Sequence, residues 1–235
     1  MRKKRTSQCL RVAVVGEYQA GKSTLINVLL GGRRAKMGDG TRPTTGKIRG
    51  YRVSRREIYL VDTPGVNAHE HHDIAAEEEL PQCDAAMFVV KSIRDLNEPQ
   101  IRLAGVVERA GIPAILVVNC WKNRGWNDGD PDHAKQIIAD TIERKLQIVG
   151  TKLVWSGLVN IEWAAAARGV LVDRKRAEKL ILEHGGMCGD AVRILERRSR
   201  IRELERILMP SLAEALDGGA LEYSVLVSKF LNCWR

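Results

Sequence analysis

Eight consecutive residues, Gly16-Glu17-Tyr18-Gln19-Ala20-Gly21-Lys22-Ser23, carry the densest chemistry in the chain. They fit G-x-x-x-x-G-K-[ST] at each fixed position. The glycines let backbone N–H groups curl around an anion, and a helix opening from the loop adds the positive end of its dipole. In such a loop the backbone from Gly16 to Thr24 cradles phosphates. Lys22 reaches the terminal phosphates and the Ser23 hydroxyl ligates Mg2+. The alternative is a chance glycine turn, and the flanks argue against it. Leu10 to Val15 is an apolar run that reads as a buried strand, and Ser23 to Leu30 reads as a helix.

Two further stretches could complete such a site. Asp62-Thr63-Pro64-Gly65 stands at the end of an apolar run, 46 residues beyond Gly16. A carboxylate there can hold Mg2+ through its water shell. Gly65 can offer its backbone N–H to a γ-phosphate, so that the following segment senses hydrolysis. The other stretch is Thr41-Arg42-Pro43-Thr44-Thr45-Gly46. A threonine hydroxyl from it would finish the Mg2+ shell. Thr45 is favoured over Thr44 and Thr41, although loop threonines also serve ordinary turn chemistry.

The elements that must position these residues follow from hydrophobic pattern and punctuation. Strands are expected at 10–15, 47–53, 57–61, 85–90, 113–118 and 152–155, with helices at 22–30, 74–80, 98–109, 131–149 and 158–168. Gly31-Gly32 and Gly111 stop two of the helices. Strands alternating with helices of this length imply an α/β fold whose mostly parallel sheet is covered on both faces. Beyond about Val172 the texture turns to charged helices, expected at 174–183, 191–208 and 221–234. Ile194, Ile201 and Leu208 recur every seven residues in the middle one, with Leu204 between them. Packing on the nucleotide domain is the favoured reading of that stripe, and a docking surface for a partner is the alternative. The organisation is a basic tail at 1–9, a nucleotide domain at 10–170 and a helical segment at 171–235.

Composition narrows the class. The chain has 235 residues, of which 44% are hydrophobic, so global disorder is excluded. No uncharged apolar run reaches membrane-spanning length, and no apolar h-region follows the basic start. Cys9, Cys83, Cys120, Cys188 and Cys233 show neither metal-ligand spacing nor a disulfide framework, which points to a reducing cytoplasm. The net charge of +9 is uneven. Nine Lys or Arg side chains fall between Arg33 and Arg56, opposed only by Asp39, and four more occupy positions 2–5. Segments 2–5 and 33–56 could attract RNA or an anionic membrane surface, which would make the protein peripheral there. The plainer reading is a solvated loop beside a polyanion site.

The run G-E-Y-Q-A-G-K-S-T-L-I-N-V-L-L-G, then P-T-T, then D-T-P-G, resembles the P-loop GTPases of the translation-factor-related class. Gly16 to Gly31 is most similar to bacterial dynamin-like proteins, followed by Era-like ribosome-assembly GTPases. The resemblance covers roughly residues 10–168 and is specific over 10–65. It implies a Ras-like G domain, GTP or GDP with Mg2+, slow hydrolysis, and switch loops near 33–46 and 65–73. Lys22, Gln19, Thr45, Arg42 and Gly65 are then the catalytic candidates, and Ser23, Thr45 and Asp62 the metal ligands. A nucleotide-dependent homodimer goes with that resemblance, whereas an unidentified protein partner would come from the apolar stripes of the C-terminal helices.

The resemblance weakens where guanine is read. These families use N-K-x-D after the fifth strand, and here the residues are Asn119-Cys120-Trp121-Lys122. Asn119 matches, but Lys122 cannot accept the hydrogen bonds that an aspartate takes from the base. Asp128 and Asp130 lie nearby in sequence, and Trp121 or Trp126 could stack on the base. Ser156-Gly157 is the candidate base loop after the last strand. Val66 stands where many relatives have the glutamine that orients water. Gln19, His69, His71 or His72 could substitute for it, and Arg42 could neutralise transition-state charge. Three functions remain open: a dynamin-like or Era-like switch, an RNA- or ribosome-associated assembly GTPase, and a non-hydrolysing regulatory subunit. If a carboxylate rescues guanine recognition, GTP will outcompete ATP, and Asp128→Ala or Asp130→Ala will abolish that preference. Equal competition by the two nucleotides would mean that selectivity is lost.

Overall fold

The computed structural model describes residues 9–36, 48–53, 58–65, 77–91, 96–119, 136, 138–185, 190–206 and 208. Six strands form one sheet: β1 (Leu10–Val15), β2 (Arg49–Arg52), β3 (Ile58–Asp62), β4 (Ala85–Val90), β5 (Ala114–Asn119) and β6 (Leu153–Val159). Their spatial order is β2-β3-β1-β4-β5-β6. All neighbours run parallel except β2, which pairs antiparallel with β3. The expected α/β architecture is therefore present.

Alternation along β1 explains the layering. Val12 and Val14 face one core, with α1 (Lys22–Leu30) and α4 (Ile161–Ala167). Ala13 and Val15 face the other, with α2 (Glu98–Ala110) and the segment from Ile138 to Leu146. β1, β4 and β5 are buried on both faces apart from the first residues of β1, hence their near-continuous apolar sequences. Helix α2 is well delimited. Asn97 and Gln100 form a reciprocal capping box, and Gly111 closes the helix in the left-handed region at φ 61°. The expected helix at 131–149 is described from Ile138 onward, with a π-helical turn at Ala139–Glu143 leading into α3 (Arg144–Ile148).

Two expectations need correcting. The last strand does not stop at Trp155. It continues to Val159 because Leu158 and Val159 pair with Val118 and Asn119. Helix α4 accordingly begins at Ile161, where the Asn160 side chain accepts the Trp163 N–H. The expected helix at 191–208 is interrupted as well. α6 (Ala191–Arg198) follows α5 (Arg174–Gly185) and ends at Ser199, and Arg200 adopts φ 61° before helical backbone resumes over 201–206. The interruption frees the Ser199 carbonyl, which accepts the Asn160 N–H at 3.0 Å. The break in one helix therefore supports the start of another.

Three of the four stripe residues pack inward, whereas Ile194 is only half-buried. Ile201, Leu204 and Leu208 are buried in the same core as α1. Arg168 adds a polar clamp at this junction. Its guanidinium donates to Glu196, to both oxygens of Glu205 and to the Val28 carbonyl of α1. Arg33, just past α1, donates to the carbonyls of Val170 and Leu171 behind α4. Arg33 is thus committed to a structural role within the basic stretch. Substituting Arg168 takes a cation away from two carboxylates that are each less than one-fifth exposed, of which Glu196 keeps Arg202 as a partner. Arg168→Ala is expected to cost about 2 kcal/mol in urea unfolding. An unchanged midpoint would show that the helical segment does not depend on this clamp.

Candidate nucleotide site

The site lies at the carboxyl ends of the parallel strands, where the chain leaves the two central strands β1 and β4 toward opposite flanks. β1 delivers the loop Gly16–Gly21, and α1 starts at Lys22, so sheet and helix hold the loop at both ends. Gly16 and Gly21 have φ of 148° and 97°. A Cβ on Gly16 would stand 2.1 Å from the Val89 carbonyl oxygen, and one on Gly21 would stand 2.8 Å from Asn119 Nδ2. Both glycines are therefore required by conformation and by space.

Lys22 is 7% exposed, and its ammonium donates to the carbonyls of Gly16 (3.0 Å) and Glu17 (2.9 Å). Burial lowers its pKa to about 8, while Asp62 and Glu17 act to raise it. The Ser23 hydroxyl donates to Asp62 Oδ2 at 2.9 Å. Asp62 is 1% exposed, and burial pushes its carboxyl up to about 6, opposed by Ser23, Lys22 and Arg49. Among the described residues its Oδ1 has no hydrogen-bond partner. A buried carboxylate oxygen without a donor, beside a hydroxyl, is a hard-oxygen pair that fits Mg2+. Among the described residues no group of three or more His, Cys, Asp or Glu could hold a metal. A cation at this pair would complete its shell with water, phosphate oxygens or further protein oxygens.

Thr63 fixes the Asp62 segment by donating its hydroxyl to the Val14 carbonyl at 2.8 Å. Gly65 then comes against the phosphate loop. A Cβ on it would meet Tyr18 Cα at 2.8 Å and Lys22 Nζ at 3.0 Å. Sequence-distant motifs thus converge: Lys22, Ser23, Asp62 and Gly65 form one cluster. Tyr18 lies at its edge through its backbone. Gln19 is exposed with a left-handed φ of 59°, on the outside of the loop. Thr24 follows Ser23 in α1.

Asn119 reaches the same site from the end of β5. Its Nδ2 donates to the Ala20 carbonyl at 3.0 Å, and its Oδ1 accepts the Ile161 N–H at 3.3 Å. It therefore ties the phosphate loop to the start of α4. Ser156 and Gly157 are placed differently from expectation. They lie inside β6, paired with Leu116 and Val117, and the Ser156 hydroxyl donates to Glu143. Asn160 and Ile161 occupy the turn after the strand instead. Thr41, Arg42, Thr44, Thr45, Val66, the three histidines, Trp121, Lys122, Trp126, Asp128 and Asp130 lie outside the described residues.

Residues 11–120 match the family model described as 50S ribosome-binding GTPase. That segment is similar to P-loop GTPases of the translation-factor-related class. GTPase Era of Xylella fastidiosa (strain M12) is 32% identical over 119 residues, covering 48% of this chain and 40% of that relative. GTPase Der of Desulforudis audaxviator (strain MP104C) is 32% identical over 126 residues, covering 49% of this chain and 28% of that relative. The chain thus spans less than half the length of these curated relatives. Among solved structures, the LeoA bacterial dynamin GTPase from ETEC superposes with a TM-score of 0.56 at 18% identity, covering 93% of this chain and 40% of that one. A probable GTP-binding protein, engB, superposes with a TM-score of 0.52 at 16% identity, covering 87% of this chain and 99% of that one. At these identities the structural likeness shows the fold alone. No helix among the described residues is long and apolar enough to cross a membrane.

Two residues of the matched segment had no part in the sequence reading. Asn27, fully buried in α1, accepts the N–H groups of Arg34 and Ala35 and donates to the Ala35 carbonyl. It pins the chain at Arg34 and Ala35, ahead of the threonines in sequence. The signal was available: one amide within the apolar run Leu25 to Leu30. Lys91, a charge directly after a buried strand, is the other, and it pairs with Glu17 at 3.3 Å.

The raised pKa of Asp62 makes a signed stability prediction. The folded state holds this proton up to about pH 6, whereas the unfolded carboxyl releases it near 3.8. Stability from this group is therefore complete below about pH 4 and lost as pH rises through 6. Without nucleotide, Asp62→Asn is expected to be more stable than the parent at pH 7, on the order of 1 kcal/mol. The gain should vanish near pH 4. Denaturant melts at the two pH values measure it, and a variant less stable at pH 7 contradicts the assignment.

Proposed function

We propose that this protein is a Mg2+-dependent GTP-binding switch that hydrolyses GTP slowly. The observation that carries the reading is the convergence of buried Lys22 and Asp62 with half-buried Ser23 and Gly65, where one carboxylate oxygen has no hydrogen-bond partner among the described residues. Lys22 brings a desolvated ammonium to the terminal phosphates. Ser23 and Asp62 would hold Mg2+, which, when bound, offsets charge on the β- and γ-phosphates. Gly65 lets the backbone after β3 approach the loop closely enough to respond to a γ-phosphate. Asn119 keeps the phosphate loop and the turn after β6 in register.

Hydrolysis would transfer the γ-phosphoryl group to water and release GDP and inorganic phosphate. Slow turnover fits the exposed position of Gln19 and the apolar Val66. Thr45 as a third metal ligand and Arg42 as an internal charge-neutralising residue belong to the same proposal. So does completion of the site by a nucleotide-dependent dimer.

A second reading, assembly of ribosomal or other RNA-containing particles, draws on the match to the 50S ribosome-binding GTPase model. Exposed Arg34, Lys36, Arg49 and Arg52 give it a physical basis. In this reading Arg34 and Lys36 sit beside the loop root that Asn27 holds, so RNA contact and nucleotide state would share a segment.

Nucleotide binding and phosphate release, with and without Mg2+ and at several protein concentrations, test the principal reading. GTP should bind tightly only with Mg2+. Lys22→Ala and Ser23→Ala should each weaken binding by roughly a hundredfold, about 3 kcal/mol. Tight GTP binding with no turnover under any condition would favour a regulatory subunit. Failure to bind any nucleotide would defeat the proposal.

A further inference from the structure

Lys91 stands at the point where β4 ends, next to the phosphate loop. Its ammonium is 3.3 Å from Glu17 Oε2, with both side chains part-buried. The approach is built into the backbone. Gly16 is pressed so closely on the Val89 carbonyl that no side chain fits between them. The loop's entry and the exit of β4 are therefore in contact, and Lys91, two residues past Val89, reaches Glu17 across that contact.

Glu17 has two opposed effects. Its main-chain carbonyl accepts a hydrogen bond from Lys22 and helps to centre that ammonium. Its side chain places an acid in a loop suited to a polyanion. The charges of Glu17 and Lys91 both act on Lys22, in opposite directions. Asp62 brings a second acid to the cluster, with Arg49 acting on it from β2. Without Lys91, the side-chain charge of the loop itself is neutralised at best, and Glu17 adds repulsion to each phosphate.

We propose that Lys91 is a positioning residue for the nucleoside triphosphate, cancelling the Glu17 carboxylate so that the phosphate loop accepts a polyanion. This rests on the nucleotide-binding reading above. It predicts more than a clip between strand and loop would. The benefit must scale with ligand charge, so the triphosphate gains more than the diphosphate. The loss on removing Lys91 must also be repaired by removing the Glu17 charge, because the loop then has the same net charge as in the parent.

The test is a double-mutant cycle in the full chain, with GTP and GDP affinities measured by titration and folding checked by melting temperature. Lys91→Gln should weaken GTP by about three- to tenfold and GDP by less, the size expected for one charge at this range. The deficit should shrink at high salt. Adding Glu17→Gln should restore GTP affinity, and Lys91→Arg should retain it. If Lys91→Gln does not fold, Glu17→Gln alone decides, because it should tighten GTP. Unchanged GTP affinity in Lys91→Gln overturns the proposal. So does an equal loss for GTP and GDP that Glu17→Gln does not repair, or a Glu17→Gln variant with no tighter binding. A parent protein that binds no GTP overturns the nucleotide reading, whereas binding that ignores Lys91 overturns this proposal alone.

Discussion

A buried lysine and a buried aspartate, held a short distance apart at the edge of the sheet, govern this structure. Removing either charge from water is costly, and burial moves Lys22 down and Asp62 up from their ordinary pKa values. Folding offsets part of that cost with specific contacts: two loop carbonyls for the ammonium and one hydroxyl for the carboxylate. The carboxylate oxygen left without a partner means that the offset is incomplete. A site in that condition gains by taking up a cation and an anion together. Instability without ligand and a capacity for ligand have one physical origin here.

The fold can hold this arrangement because the parallel sheet brings several strand ends to one edge. β1 supplies the loop, β3 the aspartate, β4 a lysine and β5 an asparagine. Antiparallel β2 stays at the margin and needs no crossover. Helix α1 then carries the loop's influence across the domain. Asn27, one turn past the phosphate lysine, fixes the chain at Arg34 and Ala35. Val28 meets Arg168, and Arg33 meets the turn behind α4. The C-terminal helices are therefore connected to the domain directly at α4 and, through Arg168 and the residues after Arg200, to the helix that opens from the phosphate loop. The connection is polar where it must be directional, and apolar at Ile201, Leu204 and Leu208, where it must exclude water.

Sequence alone determined the chemistry that is local. The phosphate loop is eight contiguous residues whose spacing states its purpose, and Asp62-Thr63-Pro64-Gly65 follows a strand whose apolar pattern is plain. Both were legible because backbone geometry within a few residues decides them. Element types were legible for the same reason, since burial on one or both faces sets the hydrophobic period. The tertiary structure decided what depends on residues far apart in the chain. β6 runs on to Val159 because β5 offers it partners, and the break after α6 leaves the Ser199 carbonyl to accept the Asn160 N–H. Asn119 binds Ala20 across 99 positions, and Arg33 spends its charge on carbonyls 137 and 138 residues away. Composition marks a lysine such as Lys91 only as basic. Whether it serves solvent, a partner or the carboxylate of Glu17 is decided when the sheet brings the end of β4 against the phosphate loop.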